Sequence, residues 1–470
     1  MAQISYAVEN KTDERSLTKN HYLHRLNGVR NYNTPLKRSL SGYELELVTL
    51  DEQGFVVNKC DEIIRKTKSK YPEVQIVREV GKHMIEIQSF PNKRITDTAL
   101  NLLENLEKTI EIANLNGCLL FPFGTYPGEL NSSVRKGGRY GLLSKTLGQP
   151  KFNDFIGKCF GFHYHYTLPR GIFDKKRKNL KPLIKSKIKQ TLIDSYNLMI
   201  AADPAITTLL QSSPFCDGKY YAKDSRMLFW RGGKRLKFNG LFSAFQSLGG
   251  LPPYKQTMTD LIQTLKRKDM RMKKEMTEVG YDEHTIEKKK ALDFIWNPVK
   301  INKLGTLESR SADMNFPSHI ISSSILVKKM LKEIQENFLH IIPSDIGIDE
   351  PFKIEGNVVY IPPHTHVRNK LQYLSAYEGL SNTDMLNYCR RFVRLGKNLV
   401  DKEYWPLLKT TSDLIKNKKT VSDILISQVR KKGYGINEKI PNDICAEIAC
   451  NHSKNLIKDI DKTKKLLEVF

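Results

Sequence analysis

The 470-residue sequence lacks the features that mark membrane-spanning and secreted proteins. It has no run of about 18 uncharged apolar residues, the length that a transmembrane helix needs. Residues 1–38 are polar and mixed in charge, without the apolar segment of a secretory signal. The seven cysteines are scattered, odd in number and never spaced as CxxC. These absences argue against a membrane partner, a disulfide framework and a zinc–cysteine site, and they favour reduced thiols in the cytoplasm.

Acidic residues are scarce relative to basic ones. The chain has 76 Lys and Arg against 51 Asp and Glu, which gives a formal net charge of +25. Such an excess is a signal of nucleic-acid binding. However, the lysines are spread over many segments, and no RNA- or DNA-binding motif accompanies them. We therefore interpret most of the charge as solvated helix surface, with nucleic acid not an expected partner, although a positive field also attracts ATP and acidic substrates.

Four stretches alternate polar and apolar residues, which is the pattern of a strand with one buried face. They read GYELELVTL at residues 42–50, HMIEIQS at 83–89, GFHYHY at 161–166 and GTLESR at 305–310. Parallel strands are usually apolar on both faces, so this pattern favours an antiparallel sheet. Each stretch alone is also consistent with an ordinary surface strand. Taken together, they predict a sheet with one polar face.

That polar face would collect carboxylates, imidazoles and a guanidinium, namely Glu44, Glu46, Glu86, Glu308, His163, His165 and Arg310. Carboxylates two residues apart on a strand lie roughly 7 Å apart, which suits two cations side by side. So many carboxylates cannot all stay ionised in a partly dry site without compensating cations. Oxygen-rich ligation with one imidazole suits Mg²⁺ or Mn²⁺ better than a structural zinc. The pattern predicts a metal–nucleotide site.

The order of these motifs resembles the type 2 glutamate–cysteine ligases and related carboxylate–amine ligases. Three more stretches carry the resemblance: RYG at 139–141, SSPF at 212–215 and SR at 225–226. It extends from about residue 42 to 380 and implies a glutamine-synthetase-like α+β fold. In that fold, a curved antiparallel sheet has a polar active-site face and helices on the other face. One segment departs from the family, because Gln372, Tyr373 and Tyr377 stand where Trp and Arg are expected.

The resemblance implies ATP-dependent ligation of a carboxylate to an amine through an acyl phosphate. The leading substrates are L-glutamate and L-cysteine, which would give γ-glutamylcysteine, the first step towards glutathione. The expected ligands of two or three Mg²⁺ (or Mn²⁺) ions are Glu44, Glu46, Glu86, His163 and Glu308. Arg310 would stabilise the transferring phosphoryl group, Arg226 is a second phosphate candidate, and Arg139 with Tyr140 would line the nucleotide or substrate site. The role of His165 stays open.

Alternatives remain at several points. The amine could differ from cysteine, and a basic nucleic-acid-associated protein without turnover is an interpretation of another class. Arg310 could simply pair with a neighbouring glutamate across the sheet.

Three regions are expected along the chain: an extension at 1–38, a catalytic domain at 39–380 and a C-terminal helical cap at 381–470. Within them, a helix from about residue 187 should end ahead of Asp203-Pro204, and Trp296-Asn297-Pro298 should lead into the Glu308 strand.

Overall fold

The computed structural model describes residues 39–470 except 131–132, 136–137, 149–151, 153–154 and 183–186. The extension expected at residues 1–38 lies outside the described residues. Among the described helices, none has both the length and the apolar character needed to cross a bilayer.

A seven-stranded sheet organises the chain. In chain order its strands are β1 (Ser41–Asp51), β2 (Ile76–Arg78), β3 (Met84–Gln88), β4 (Cys118–Phe121), β5 (Gly161–Thr167), β6 (Val299–Asn302) and β7 (Thr306–Asp313). Across the sheet the order is β6–β7–β5–β1–β3–β2, and β4 pairs with the end of β1. All pairings among these strands are antiparallel, which confirms the prediction.

The strand β1 lies at the centre because it pairs with three neighbours. Its first residues pair with β5, its middle with β3 and its last four residues with β4. The side chains of Tyr43, Leu45 and Leu47 are almost fully buried on one face. Glu44 and Glu46 alternate with them, so the period of the strand directs both carboxylates to the opposite face. The one-sided alternation of the sequence is therefore realised in the fold.

Thirteen α-helices of six or more residues occur in the described parts of the chain. They are α1 (Cys60–Lys70), α2 (Ile95–Asn114), α3 (Gly138–Leu147), α4 (Ile188–Leu209), α5 (Ser225–Trp230), α6 (Met258–Glu278), α7 (Glu283–Lys288), α8 (Pro317–Asn337), α9 (Gln372–Tyr377), α10 (Thr383–Leu399), α11 (Lys409–Asn417), α12 (Val421–Lys431) and α13 (Asn442–Leu467). Helices α2, α4 and α8 pack against the main sheet and bury its apolar face. The α+β class with helices on one face of the sheet is confirmed.

Smaller elements complete the fold. A second sheet consists of β8 (His340–Pro343), β9 (Lys353–Glu355) and β10 (Val358–Ile361), in the order β8–β10–β9. The helices after residue 380 share the main hydrophobic core, since Phe392, Leu456 and Leu467 are fully buried in it. Helix α13 packs on α2 and β4.

The predicted break at Asp203-Pro204 is wrong. Helix α4 continues through Pro204 to Leu209, and nearly all of its residues are buried. Asp203 is not a turn residue but the partner of Arg231, whose guanidinium donates to both carboxylate oxygens at 2.7 and 2.8 Å. We attribute the continuation to this packing, which outweighs the roughly 3 kcal/mol that an interior proline costs a helix.

A strand that the sequence did not reveal precedes the Glu308 strand. The segment Trp296-Asn297-Pro298 leads first into β6, and only then does the chain turn back as β7. This extra edge strand places Lys300 and Asn302 beside Glu308.

Candidate active site

The strand register brings the predicted polar residues together on one face. Directly opposed pairs are Glu44 with Gln88 and His163, Glu46 with Glu86, and Glu308 with His165 and Lys300. The four alternating stretches of the sequence therefore lie on adjacent strands, as predicted.

Two histidines of β5 contact the carboxylates of β1. The Nδ1 atom of His163 lies 3.0 Å from Glu44 Oε2, and its Nε2 atom lies 3.5 Å from Glu46 Oε1. His165 Nε2 lies 3.3 Å from Glu44 Oε1, and its Nδ1 atom is 2.9 Å from the Thr306 hydroxyl. Glu46 also accepts a hydrogen bond from the Gly161 backbone N–H at 2.5 Å. Glu44 is thus shared between both imidazoles.

The donor set fits divalent cations with oxygen preference. Three overlapping groups have ligand atoms within 4.8 Å of one another: Glu44–Glu86–His163, Glu44–His165–Glu308 and Glu46–Glu79–Glu86. Moreover, the buried Nε2 atoms of His163 and His165 face carboxylates at 3.5 and 3.3 Å but have the geometry of a hydrogen bond with no group among the described residues. An unpartnered buried imidazole nitrogen facing carboxylates is a free ligand position. Carboxylates with at most one imidazole per group suit Mg²⁺ or Mn²⁺.

The pKa shifts of the carboxylates reflect how close together these groups lie. Burial, followed by the charges of Glu44, Glu79 and Glu46, raises the pKa of Glu86 well above its ordinary value. Burial also raises the pKa of Glu46, although His163 opposes it. For Glu44 burial acts in the same direction, but the two histidines outweigh it and lower the pKa. The carboxylates compete for positive charge, and a bound cation would relieve this competition.

The Glu308 carboxylate is surrounded by cationic and polar side chains of β6 and β7. Its carboxylate is 3.2 Å from Lys300 Nζ and 3.3 Å from Arg310 Nη1, and it accepts a hydrogen bond from the Asn302 amide. Burial opposes ionisation, yet Lys300, His165 and Arg310 lower the pKa of Glu308. The predicted proximity of Glu308 and Arg310 is therefore observed. Lys300 and Asn302 were missed because their strand was missed.

Arg226 contacts the strand that carries Arg310. Its guanidinium donates to the carbonyl oxygens of Ser311 and Arg310 at 2.8 and 3.2 Å. A register shift between Ser309 and Ala312 interrupts the β7–β5 pairing at this point. Arg226 Nε is buried without a partner in the described part of the chain. The residue lies next to the predicted phosphate-stabilising arginine, while its own phosphate contact stays a prediction.

Glu79 is a further acidic residue that the sequence did not single out. It follows β2, joins Glu46 and Glu86 in one of the ligand groups, and accepts a hydrogen bond from the Tyr140 hydroxyl at 2.6 Å. Its only signal in the sequence is its place four residues before the alternating stretch at 83–89, and this signal is weak. Tyr140 therefore lies at the edge of the cluster, while its contact with nucleotide or substrate stays a prediction. The side chain of Arg139, in α3, lies outside the described part of the structure.

The sequence model of glutamate-cysteine ligase family 2 matches residues 40–314, which include every residue of the cluster. Among proteins of curated function, none matches the chain by sequence.

Two solved structures have the same fold. Glutamate–cysteine ligase from Francisella tularensis, in complex with AMP, aligns with a TM-score of 0.54 at 12% identity over 93% of each chain. A bifunctional glutathione synthetase from Pasteurella multocida aligns with a TM-score of 0.52 at 14% identity over 90% of this chain. The chain spans 52% of that enzyme's length.

The family match extends over more than half of the chain and contains the whole carboxylate–histidine cluster. The chain belongs to glutamate-cysteine ligase family 2, a family of carboxylate–amine ligases.

Proposed function

We propose that the protein uses ATP to couple L-glutamate to L-cysteine, forming γ-glutamylcysteine with release of ADP and phosphate. The observation that carries the proposal is the set of three overlapping ligand groups next to Arg310. A phosphoryl-transfer site needs several cations around the triphosphate and a fixed positive group at the transferring phosphate. The family membership and the fold support the ligase class, and a cytoplasmic location is part of the proposal.

Glu44, Glu46, Glu86, His163 and Glu308, joined by Glu79 and His165, would hold two or three Mg²⁺ ions, which neutralise phosphate charge when bound. Arg310 is held on the same face by Glu308 and would donate to the phosphoryl oxygens. Glu308 thereby orients Arg310, while Lys300 and Asn302 keep the Glu308 carboxylate in place. Arg226, Arg139 and Tyr140 are proposed to complete the nucleotide end of the site.

The reaction has two steps. A carboxylate oxygen of glutamate forms a bond to the γ-phosphorus of ATP, and the bond from that phosphorus to the ADP oxygen breaks. The amine nitrogen of the second substrate then attacks the acyl carbon, loses a proton, and expels phosphate as the C–N bond forms. The protein contributes by positioning the reactants and by stabilising the charge of the phosphoryl group.

The test is ADP release with ATP and Mg²⁺ against a panel of amino acids, offered singly and in pairs. Glutamate with cysteine should give the highest rate and should yield γ-glutamylcysteine by mass. Release with a different pair would retain the ligase class and reassign the amine. No release with any pair, in Mg²⁺ or Mn²⁺, together with salt-sensitive RNA binding, would favour the nucleic-acid alternative.

Glu308→Gln should abolish turnover, because it removes the negative charge of a side chain that is both a proposed metal ligand and the ion-pair partner of Arg310. Its matched control is Glu355→Gln in β9, a half-exposed glutamate whose ion pair within the described residues is with Lys353. The control should keep its activity, since an exposed ion pair contributes little. Full activity in Glu308→Gln, with an unchanged melting temperature, would contradict the assignment.

A further inference from the structure

Strand β6 places a lysine at one edge of the polar face. It is the edge strand of the main sheet, and its neighbour is β7. The apolar residues of β6 are buried in the hydrophobic core, so Lys300 between them faces the opposite side, where it is paired with Glu308 in the register. Glu308 in turn opposes His165 of β5. Lys300, Glu308 and His165 therefore form one row across three strands.

The Glu308 carboxylate has a positive group beside each of its oxygens. Lys300 Nζ lies 3.2 Å from Oε2, and Arg310 Nη1 lies 3.3 Å from Oε1. The Asn302 amide donates a further hydrogen bond to Oε2. Lys300 is 6% exposed and Glu308 is 1% exposed, so water screens their charges only weakly. Lys300 is thus a built-in counter-ion of Glu308.

The other carboxylates of the cluster have no such counter-ion. Two of the three ligand groups omit Glu308 and combine carboxylates of β1, β3 and the β2–β3 connection, with His163 in one of them. In the described part of the chain, no lysine or arginine forms an ion pair with these carboxylates, namely Glu44, Glu46, Glu79 and Glu86. The third group, Glu44–His165–Glu308, is the one whose carboxylates include a partner of lysine. The three groups therefore differ in the positive charge that a metal ion would meet.

A divalent ion at Glu308 would share its carboxylate with the Lys300 ammonium. An ionised carboxylate has about four lone-pair sites, so it can bind a metal ion while it accepts hydrogen bonds. Like charges that share one buried carboxylate repel each other strongly, however, because water is excluded. The ammonium should therefore weaken metal binding at Glu308 without blocking it.

We propose that Lys300 lowers the affinity of the Glu44–His165–Glu308 group for divalent cations, so that the two groups without Glu308 fill first. The inference rests on the proposed function, which assigns these groups to divalent ions, and it adds the residue that sets their order. If Lys300 served only to hold Glu308 in place, its loss would loosen a ligand and weaken metal binding. The two roles thus predict changes of opposite sign.

The test is Mn²⁺ binding without nucleotide or amino acid. Wild-type protein, Lys300→Met, Lys300→Gln and the control Lys328→Met are titrated with MnCl₂ at constant ionic strength and followed by calorimetry. Lys328 of α8 is 7% exposed and donates to the Ser41 hydroxyl at 3.0 Å, so its replacement removes an equally buried charge that is not paired with the cluster. Each Lys300 variant should bind its weakest Mn²⁺ ion at least about tenfold more tightly than wild type, and the control should bind like wild type.

The double variant Lys300→Met/Glu308→Gln locates the effect. The gain in affinity should disappear in it, because the carboxylate for which the two cations compete has been removed. A gain that persists in the double variant, or an equal gain in Lys328→Met, would overturn the inference. Lys300→Gln retains a side chain that can donate to Glu308, so it keeps the test valid if Lys300→Met does not fold.

Failure of the inference and failure of the proposed function give different results. Unchanged or weaker Mn²⁺ binding by the Lys300 variants, with binding by wild type, would overturn the role of Lys300 and leave the metal assignment of the cluster intact. No Mn²⁺ binding by wild type would contradict the metal assignment itself, and the inference with it.

Discussion

Arg310 combines two properties that a charge-stabilising residue needs. It is fixed by Glu308 at 3.3 Å, and its side chain keeps 13% of its surface exposed on the face of the carboxylate cluster. A guanidinium that is already oriented requires no reorganisation when phosphoryl charge develops. Pairing with a neighbouring glutamate was the alternative role for Arg310. The observed pair with Glu308 also orients the Arg310 guanidinium.

Replacing Arg310 by Ala should lower kcat by about 10²–10³-fold, the loss typical of one pre-organised donor. The KM for ATP should change much less, because the interaction is made chiefly in the transition state. Steady-state kinetics with ATP as the varied substrate measure both constants. An effect confined to KM would make Arg310 a binder of the ground state instead.

Two buried aspartates behind the site should make stability depend on pH. Burial raises the pKa of Asp313 to about 6, although Arg226 opposes the shift. Asp224 lies nearby, and each of the two has one buried oxygen without a partner in the described residues. Because the raised pKa favours the protonated folded state, stability should fall as pH rises from about 4 to about 6.

Asp313→Asn removes this titration. Relative to wild type, the variant should gain about 2–3 kcal/mol in free energy of unfolding between pH 4 and 6. Urea unfolding at a series of pH values measures the difference, and any pH-independent cost of the substitution cancels. A constant difference across this range would show that Asp313 is ionised in the fold.

At the scale of residues, the sequence predicted the site residues that alternate with apolar residues within one strand. Glu44, Glu46, Glu86, His163 and Glu308 all lie on the predicted face. Other residues enter the site only through pairing across strands or through a connection, namely Glu79, Lys300 and Asn302. Single-strand periodicity contains no information about which strand becomes the neighbour.

Strand β7 depends on an arginine from outside the sheet. Arg226 donates to two of its carbonyl groups where the pairing with β5 shifts, and Gly161 at the start of β5 leaves the space for it. A Cβ atom at Gly161 would lie 2.2 Å from an Nη atom of Arg226. Because glycine has no side chain, residue 161 leaves room for the Arg226 guanidinium to bond the β7 carbonyl groups.

Gly161→Ala should displace Arg226, destabilise the fold by about 1–3 kcal/mol and lower kcat. Denaturant unfolding and turnover measure the two effects. The matched control is Gly141→Ala in α3, where an added Cβ meets nothing within 4 Å. That variant should be neutral or slightly more stable, since alanine favours a helix over glycine. Equal behaviour of the two variants would contradict this role for the glycine.

At the scale of elements, the class follows from periodicity. Strand β5 at Gly161–Thr167 includes the alternating stretch at 161–166, and strand β7 at Thr306–Asp313 includes all but the first residue of the stretch at 305–310. Local rules failed where burial dominates, as in α4, in which Pro204 does not end the helix. They also failed for β6, whose four residues are too few for alternation to be distinguished from a loop.

The whole molecule should be more stable with the divalent cation than without it. Carboxylates that raise one another's pKa destabilise the metal-free fold, and a ligand of the folded state alone stabilises it by mass action. At a Mg²⁺ concentration of about 100 times Kd, we expect about 2.7 kcal/mol. Thermal unfolding with MgCl₂, against NaCl at equal ionic strength, tests this. An equal melting temperature would contradict divalent binding by the folded protein.

We propose that residues 381–470 cap the catalytic region at 39–380 within one cooperative unit. Ser318 at the start of α8 binds Asp459 of α13 through both its N–H and its hydroxyl, at 2.9 and 2.6 Å. Lys464 pairs with Glu107 of α2 at 2.7 Å. These contacts connect the last helix to α2 and α8, two of the three helices that cover the sheet.

The central position of β1 has a consequence for how faithfully active molecules are made. A slip of one residue in its pairing would direct Glu44 and Glu46 into the apolar layer and expel Tyr43, Leu45 and Leu47 from it. Such a chain could not complete its core. A molecule that has buried this strand in the correct register therefore also has its carboxylates in the correct place, and molecules with a misplaced site do not reach the folded state.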